Sequence, residues 1–133
     1  IWSVTSYNEL SREALSCERY NRLHPDKNPK IPYVQQCFKN EKGPVIAVTD
    51  YMKALPASIG KWMPNNFTVL GTDGFGLSES REELRDHFEI SINHIVHAAL
   101  AALYEPDKTN SQLILKQMSE LDINCDKIDP TTR

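Results

Sequence analysis

Phe67-Thr-Val-Leu-Gly-Thr-Asp-Gly-Phe-Gly-Leu-Ser-Glu-Ser-Arg-Glu-Glu-Leu-Arg-Asp-His-Phe88 runs from an apolar stretch through a glycine-rich bend into a capped helix. That order is a strand-to-helix switch, and in open α/β sheets such loops lie at the carboxyl ends of the strands, where binding surfaces form. Gly71, Gly74 and Gly76 permit positive φ and close backbone approach. Ser80 and Glu83 have the spacing of a capping box, which starts a helix from Arg81 to Phe88. The glycines suggest a phosphate cradle, but Asp73, Glu79, Glu82 and Glu83 would surround an anion with negative charge, and no lysine follows the last glycine as in a P-loop. The stronger reading is a structural loop that docks on another domain.

Outward from this segment, strands and helices alternate. Trp2, Val4 and Thr5 are β-prone, and Ser6 with Glu9 repeats the capping-box spacing. A helix with Leu10, Ala14, Cys17 and Tyr20 or Asn21 on one face should stop before His24-Pro25. Pro25, Pro29 and Pro32 stiffen an exposed loop, followed by a short helix with Tyr33, Val34, Cys37 and Phe38. Val45 to Thr49 is an apolar run suited to a strand buried on both faces. Pro56 fits the first turn of a helix carrying Ile59, Trp62 and Met63, and Pro64-Asn-Asn66 is a turn before the strand Phe67 to Leu70. Ser91 caps a helix whose face is Ile92, Ile95, Val96, Ala99, Leu100 and Leu103. Glu105 to Lys108 breaks it. A last helix starts at Thr109 or Asn110 and runs through Ile114, Met118 and Leu121, leaving Asn124 to Arg133 as a tail. Alternation without hairpin turns predicts a parallel α/β sheet of three strands, with exposed edges.

The 133 residues suffice for one domain, and a net charge of −3 without a basic stripe argues against nucleic acid as a partner. The apolar stretch around Ile95 to Leu103 is too short to span a bilayer, so no membrane role is expected. Three widely spaced cysteines, Cys17, Cys37 and Cys125, form no C-x-x-C pair and favour a reducing compartment. The chain begins with Ile1 inside an apparent strand and reads as a fragment of something longer.

Candidate chemistry is sparse. His94 and His97 are three apart on a helix, yet lack further ligands for a metal and read as a partly exposed polar flank. His87, beside Arg85 and Asp86, suits either a polar interface or plain solvent exposure. Asp50, Asp73 and Glu79 fall near strand C-termini, where both catalytic and ordinary capping carboxylates sit. No nucleophile elbow is present.

Ser3-Val-Thr-Ser6, Cys17-Glu-Arg19, Leu23-His-Pro25, Thr49-Asp-Tyr-Met-Lys53, Gly71-Thr-Asp-Gly-Phe-Gly76, Ser80-Arg81 and His87-Phe-Glu89 together resemble the C-terminal domain of the homodimeric, thiamine diphosphate-dependent pyruvate dehydrogenase components of the transketolase-like family. The resemblance implies that residues 1–133 are one C-terminal domain of a larger subunit, a three-layer α/β sandwich with a mostly parallel sheet, lacking its first strand or strands. It implies a cytoplasmic parent enzyme that decarboxylates pyruvate and transfers acetyl groups to lipoyl groups on an acyltransferase, using thiamine diphosphate and Mg²⁺. The family's cofactor motif is Gly-Asp-Gly followed by an Asn pair. Here Asp73-Gly74 and Asn65-Asn66 stand in the wrong order and too close, so no catalytic, cofactor or metal residue carries over. The implied role is packing against the rest of the subunit and a second identical subunit, with Thr72, Asp73, Gly74, Phe75, Gly76, Ser78, Ser80 and Arg81 as the docking loop. The alternative is a small-ligand regulatory site at the carboxyl-end crevice; an independent α/β enzyme is the third reading.

Overall fold

The computed structural model describes residues 1–64, 66–104 and 108–132, with side chains at 108–110 left aside. Asn65 of the expected turn, residues 105–107 of the expected helix break, and Arg133 lie outside the described residues. The elements are α1 (Tyr7–Leu23), α2 (Tyr33–Cys37), β1 (Val45–Val48), α3 (Ala54–Ala57), β2 (Phe67–Leu70), α4 (Arg81–His87), α5 (Ile92–Leu103) and α6 (Lys108–Glu120), with 3-10 turns at Gly60–Trp62 and Pro130–Thr132.

β1 and β2 pair in parallel, with Val45 opposite Phe67 and Val48 opposite Leu70. The sheet has two strands among the described residues, not the expected three. Trp2, Val4 and Thr5 are exposed and form no strand. β-propensity describes how a side chain fits a pleated surface, and without a neighbouring ladder it cannot make a strand. β1 is correspondingly half-buried, with Val48 exposed, and is not enclosed on both faces.

Ala14, Val34, Ile59 and Trp62 form the core, with Tyr7, Leu10, Phe38, Met63 and Phe67 packed against it. α1 therefore buries the face its periodicity predicts and ends where expected, since Pro25 follows the cap at His24. Trp62 enters with its polar atom satisfied: Nε1 donates to Glu18 Oε1 at 2.9 Å, and Lys61 Nζ meets the same oxygen at 2.6 Å. The expected helix through Ile59 and Met63 is instead one turn, α3, followed by the 3-10 turn that starts at Gly60, a poor helix former. Pro56 lies in the middle of α3 and is fully buried.

α5 packs along β1 and β2, and α6 packs on α5. The expected apolar face of α5 is only partly covered: Val96 and Leu103 are exposed and Ile92 is 78% exposed. The buried residue is His94, contrary to its reading as a partly exposed flank. Its ring tolerates burial because Nδ1 meets Ser91 Oγ at 2.8 Å.

Candidate docking site

Parallel pairing brings the exits of β1 and β2 side by side, and Thr49 N still donates to Leu70 O at 3.0 Å beyond the last strand pair. The next residues are stitched together. Thr72 N donates to Tyr51 O at 2.9 Å, Thr72 Oγ1 donates to Asp50 O at 3.0 Å, and Lys53 N donates to Asp73 Oδ1 at 2.9 Å. Gly71 is buried against this seam, where a Cβ would stand 2.7 Å from Tyr51 O and 3.1 Å from Lys53 N. Gly74 has φ 109°, and a Cβ there would meet Pro130 O at 2.7 Å. Gly76 has open space and no positive φ, so the structural demand expected of all three glycines falls on Gly71 and Gly74.

Beyond Asp73 the loop turns outward. Phe75 is 79% and Leu77 50% exposed, an arrangement that leaves two large apolar side chains in water on a backbone anchored at both ends. The far anchor is Ser80, whose Oγ accepts from Glu83 N at 3.3 Å while the Glu83 carboxylate accepts from Ser80 N and Oγ. These bonds hold the Glu83 carboxyl below the ordinary carboxylate range. At Ser6 only half of the expected box forms: Ser6 Oγ accepts from Glu9 N at 3.2 Å, but the Glu9 carboxylate turns to Arg12 at 2.5 Å.

The structure thus gathers Thr72, Asp73 and Gly74 at the sheet's carboxyl end and leaves Phe75, Gly76, Ser78, Ser80 and Arg81 exposed. Asp73 serves as a side-chain acceptor for the Lys53 amide, and Asp50 contributes its backbone carbonyl. His87 is half-buried with its ring edge-on to Phe88, 4.9 Å between centroids, rather than open to solvent. Burial and the Glu13 carboxylate push the Cys17 thiol up, which disfavours its thiolate.

Sequence reasoning missed a polar cluster at the carboxyl end of α4. Lys127 Nζ, from the supposed free tail, donates to the Asp86 carbonyl and to Asp86 Oδ2, the latter at 2.9 Å. His94 Nδ1 lies 3.8 Å from Asp86 Oδ1. Lys127 and Asp86 are 41 residues apart, and no local spacing announces their pairing.

The model of the transketolase-like TK C-terminal domain matches residues 1–91. The chain belongs to this family. It is 44% identical over 131 residues to the "Pyruvate dehydrogenase E1 component" of Pseudomonas aeruginosa, covering 98% of this chain and 15% of the relative. The proteins of the same name from Escherichia coli and from Buchnera aphidicola of Schizaphis graminum are 40% and 44% identical over the same share of this chain, 14% of their own length. The chain thus spans about one-seventh of these relatives, and the similarity extends past the family model into α5 and α6. The α/β class with a parallel sheet agrees with the expectation.

Among the described residues no three His, Cys, Asp or Glu side chains are grouped to hold a metal. Asp73, which the cofactor motif would enlist, has Oδ1 engaged by the Lys53 amide. No described helix is long and apolar enough to cross a membrane.

Proposed function

We propose that residues 1–133 are one non-catalytic C-terminal domain of a cytoplasmic, homodimeric pyruvate dehydrogenase subunit, and that they serve packing between domains and subunits. The parent subunit carries thiamine diphosphate and Mg²⁺ elsewhere, decarboxylates pyruvate and passes the acetyl group to lipoyl groups of an acyltransferase. The loop from Thr72 to Arg81 is the docking element. The observation that carries this reading is its construction: a backbone seam at Asp73 and a cap at Ser80 anchor the two ends of a segment that exposes Phe75 and Leu77. Pre-ordering lowers the entropy cost of association, which suits a packing contact. A small-ligand site in the carboxyl-end crevice is less well supported, because the polar groups of Thr72 and Asp73 there are engaged with the backbone of Asp50 and Lys53.

The test has two parts. Calorimetry of this chain with thiamine diphosphate and Mg²⁺, beside an assay of carbon dioxide release from pyruvate, should show neither binding nor turnover above the cofactor-only background; micromolar binding with turnover would end the non-catalytic reading. In the intact natural protein, Phe75→Ser with Leu77→Ser should weaken subunit association in sedimentation while leaving the Thr72 and Lys53 amides protected. Unchanged association would remove the loop from the interface.

A further inference from the structure

The segment after α6 closes over the end of the sheet. We propose that Asn124 to Thr132 is a strap across the carboxyl-end crevice, latched by Lys127 on Asp86 and opened when His94 takes up a proton.

Its placement rests on three contacts. The Pro130 carbonyl and Thr131 Cα lie 2.7 and 3.9 Å from the position a Cβ would take on Gly74. Asp129 stands close enough to Lys53 for the ammonium to favour its carboxylate, and the Lys53 amide is itself bound to Asp73. The turn 129–132 therefore crosses between the two strand exits. Asp129 shapes that turn, accepting from Thr131 N at 2.8 Å and Thr131 Oγ1 at 2.7 Å.

Apolar burial does little to hold the strap, since Ile128 and Cys125 are exposed. The latch is polar. The Lys127 side chain is 19% exposed but Asp86 is 63% exposed, so the pair is shielded on the lysine's side alone and stays weak enough to open.

His94 shares that carboxylate. The charged or titratable groups acting on its ring are Asp86 from α4, Glu89 from the α4–α5 turn, His97 from its own helix and Lys127 from the strap. A neutral ring leaves Asp86 to Lys127. A protonated ring draws on Asp86 and repels Lys127 at the same time. Desolvation and Lys127 depress the His94 pKa by more than Asp86 and Glu89 raise it. Opening takes Lys127 away from the ring and removes its share of the depression, so the latched state binds fewer protons than the open one. Latching is complete above the ordinary histidine range and fades as pH falls through it toward the depressed value.

Hydrogen–deuterium exchange of the intact natural protein, corrected for intrinsic rates, tests this on peptides covering 124–132 and 71–79. Between about pH 7.5 and about pH 5.5 the strap should lose roughly tenfold in protection. Lys127→Met should be fast at both values, Lys127→Arg should keep the step, and His94→Gln should abolish it. Equal protection of the wild type at both values would overturn the proposal, as would unchanged protection in Lys127→Met or a step that persists in His94→Gln. Lys127→Met leaves the core untouched, so the latch is testable even if His94→Gln proves unstable.

Discussion

Replacing Gly71 with alanine adds one methyl group at the point where two backbones meet. The new Cβ would lie 2.7 Å from Tyr51 O and 3.1 Å from Lys53 N, and neither atom belongs to a flexible side chain that could swing away. The segments must part, and three hydrogen bonds depend on their approach: Thr72 N to Tyr51 O, Thr72 Oγ1 to Asp50 O, and Lys53 N to Asp73 Oδ1. At about 1 kcal/mol each their loss costs about 3 kcal/mol. Alanine recovers about 0.4–1 kcal/mol by restricting the unfolded chain, which leaves a net loss of about 2 kcal/mol. Gly76→Ala is the internal control, because nothing lies within 4 Å of its Cβ position and the change should stay within about 0.5 kcal/mol. Native-state hydrogen exchange of the Thr72 and Lys53 amides reads the difference directly, as roughly a thirtyfold loss of protection in Gly71→Ala alone. If the two variants exchange alike, the seam does not hold the loop, and the account of the docking site fails with it.

Ser80→Ala should destabilise α4 by about 1 kcal/mol, the usual cost of a lost N-cap, measurable by urea unfolding at constant m. Because the folded state depresses the Glu83 carboxyl, its contribution is present above the unfolded carboxylate pKa and is lost as pH falls through the depressed value; Ser80→Ala should flatten that acid-side loss. Asp122 ends α6 with φ 53°, a left-handed conformation that glycine adopts without steric cost, so Asp122→Gly should stabilise by about 0.5–1 kcal/mol in the same assay, and destabilisation would contradict this account of the turn. The isolated chain should self-associate in sedimentation as its concentration rises, since Ile92, Phe75 and the strand edges are uncovered; a compact monomer throughout would count against it.

The legible parts were those governed by neighbours in sequence. Ser80 and Glu83 form both halves of their box. The identical spacing at Ser6 yields one half, because Arg12 takes the Glu9 carboxylate. Val45 to Leu70 gave two strands and their parallel sense, since a helical connection without a hairpin turn allows little else. Trp2 to Thr5 misled because propensity cannot supply a ladder partner. His94 misled for the opposite reason: a polar residue looks exposed until Ser91, three residues earlier, supplies its bond. The seam between Lys53 and Asp73 and the latch between Lys127 and Asp86 span 20 and 41 residues, beyond any local period.

The sheet itself argues for a packing role. Two paired strands of four residues each are too few to stand alone, and independent sheets need a third strand or an apolar face well covered by helices. Here α5 covers the strands only in part. β1 instead borders a groove of about 1400 Å³, whose walls include Trp2, Val4, Phe38 and Ile95. The Trp2 ring reaches Phe38 at 5.6 Å between centroids yet remains 58% exposed, so the N-terminal segment lines this groove without filling it. Closing such a groove with protein removes apolar surface from water at about 25 cal/mol per Å². On the proposed packing role, this unit would draw stability from whatever closes the groove, and the exposed Phe75 and Leu77 extend the same logic to the carboxyl end of the sheet.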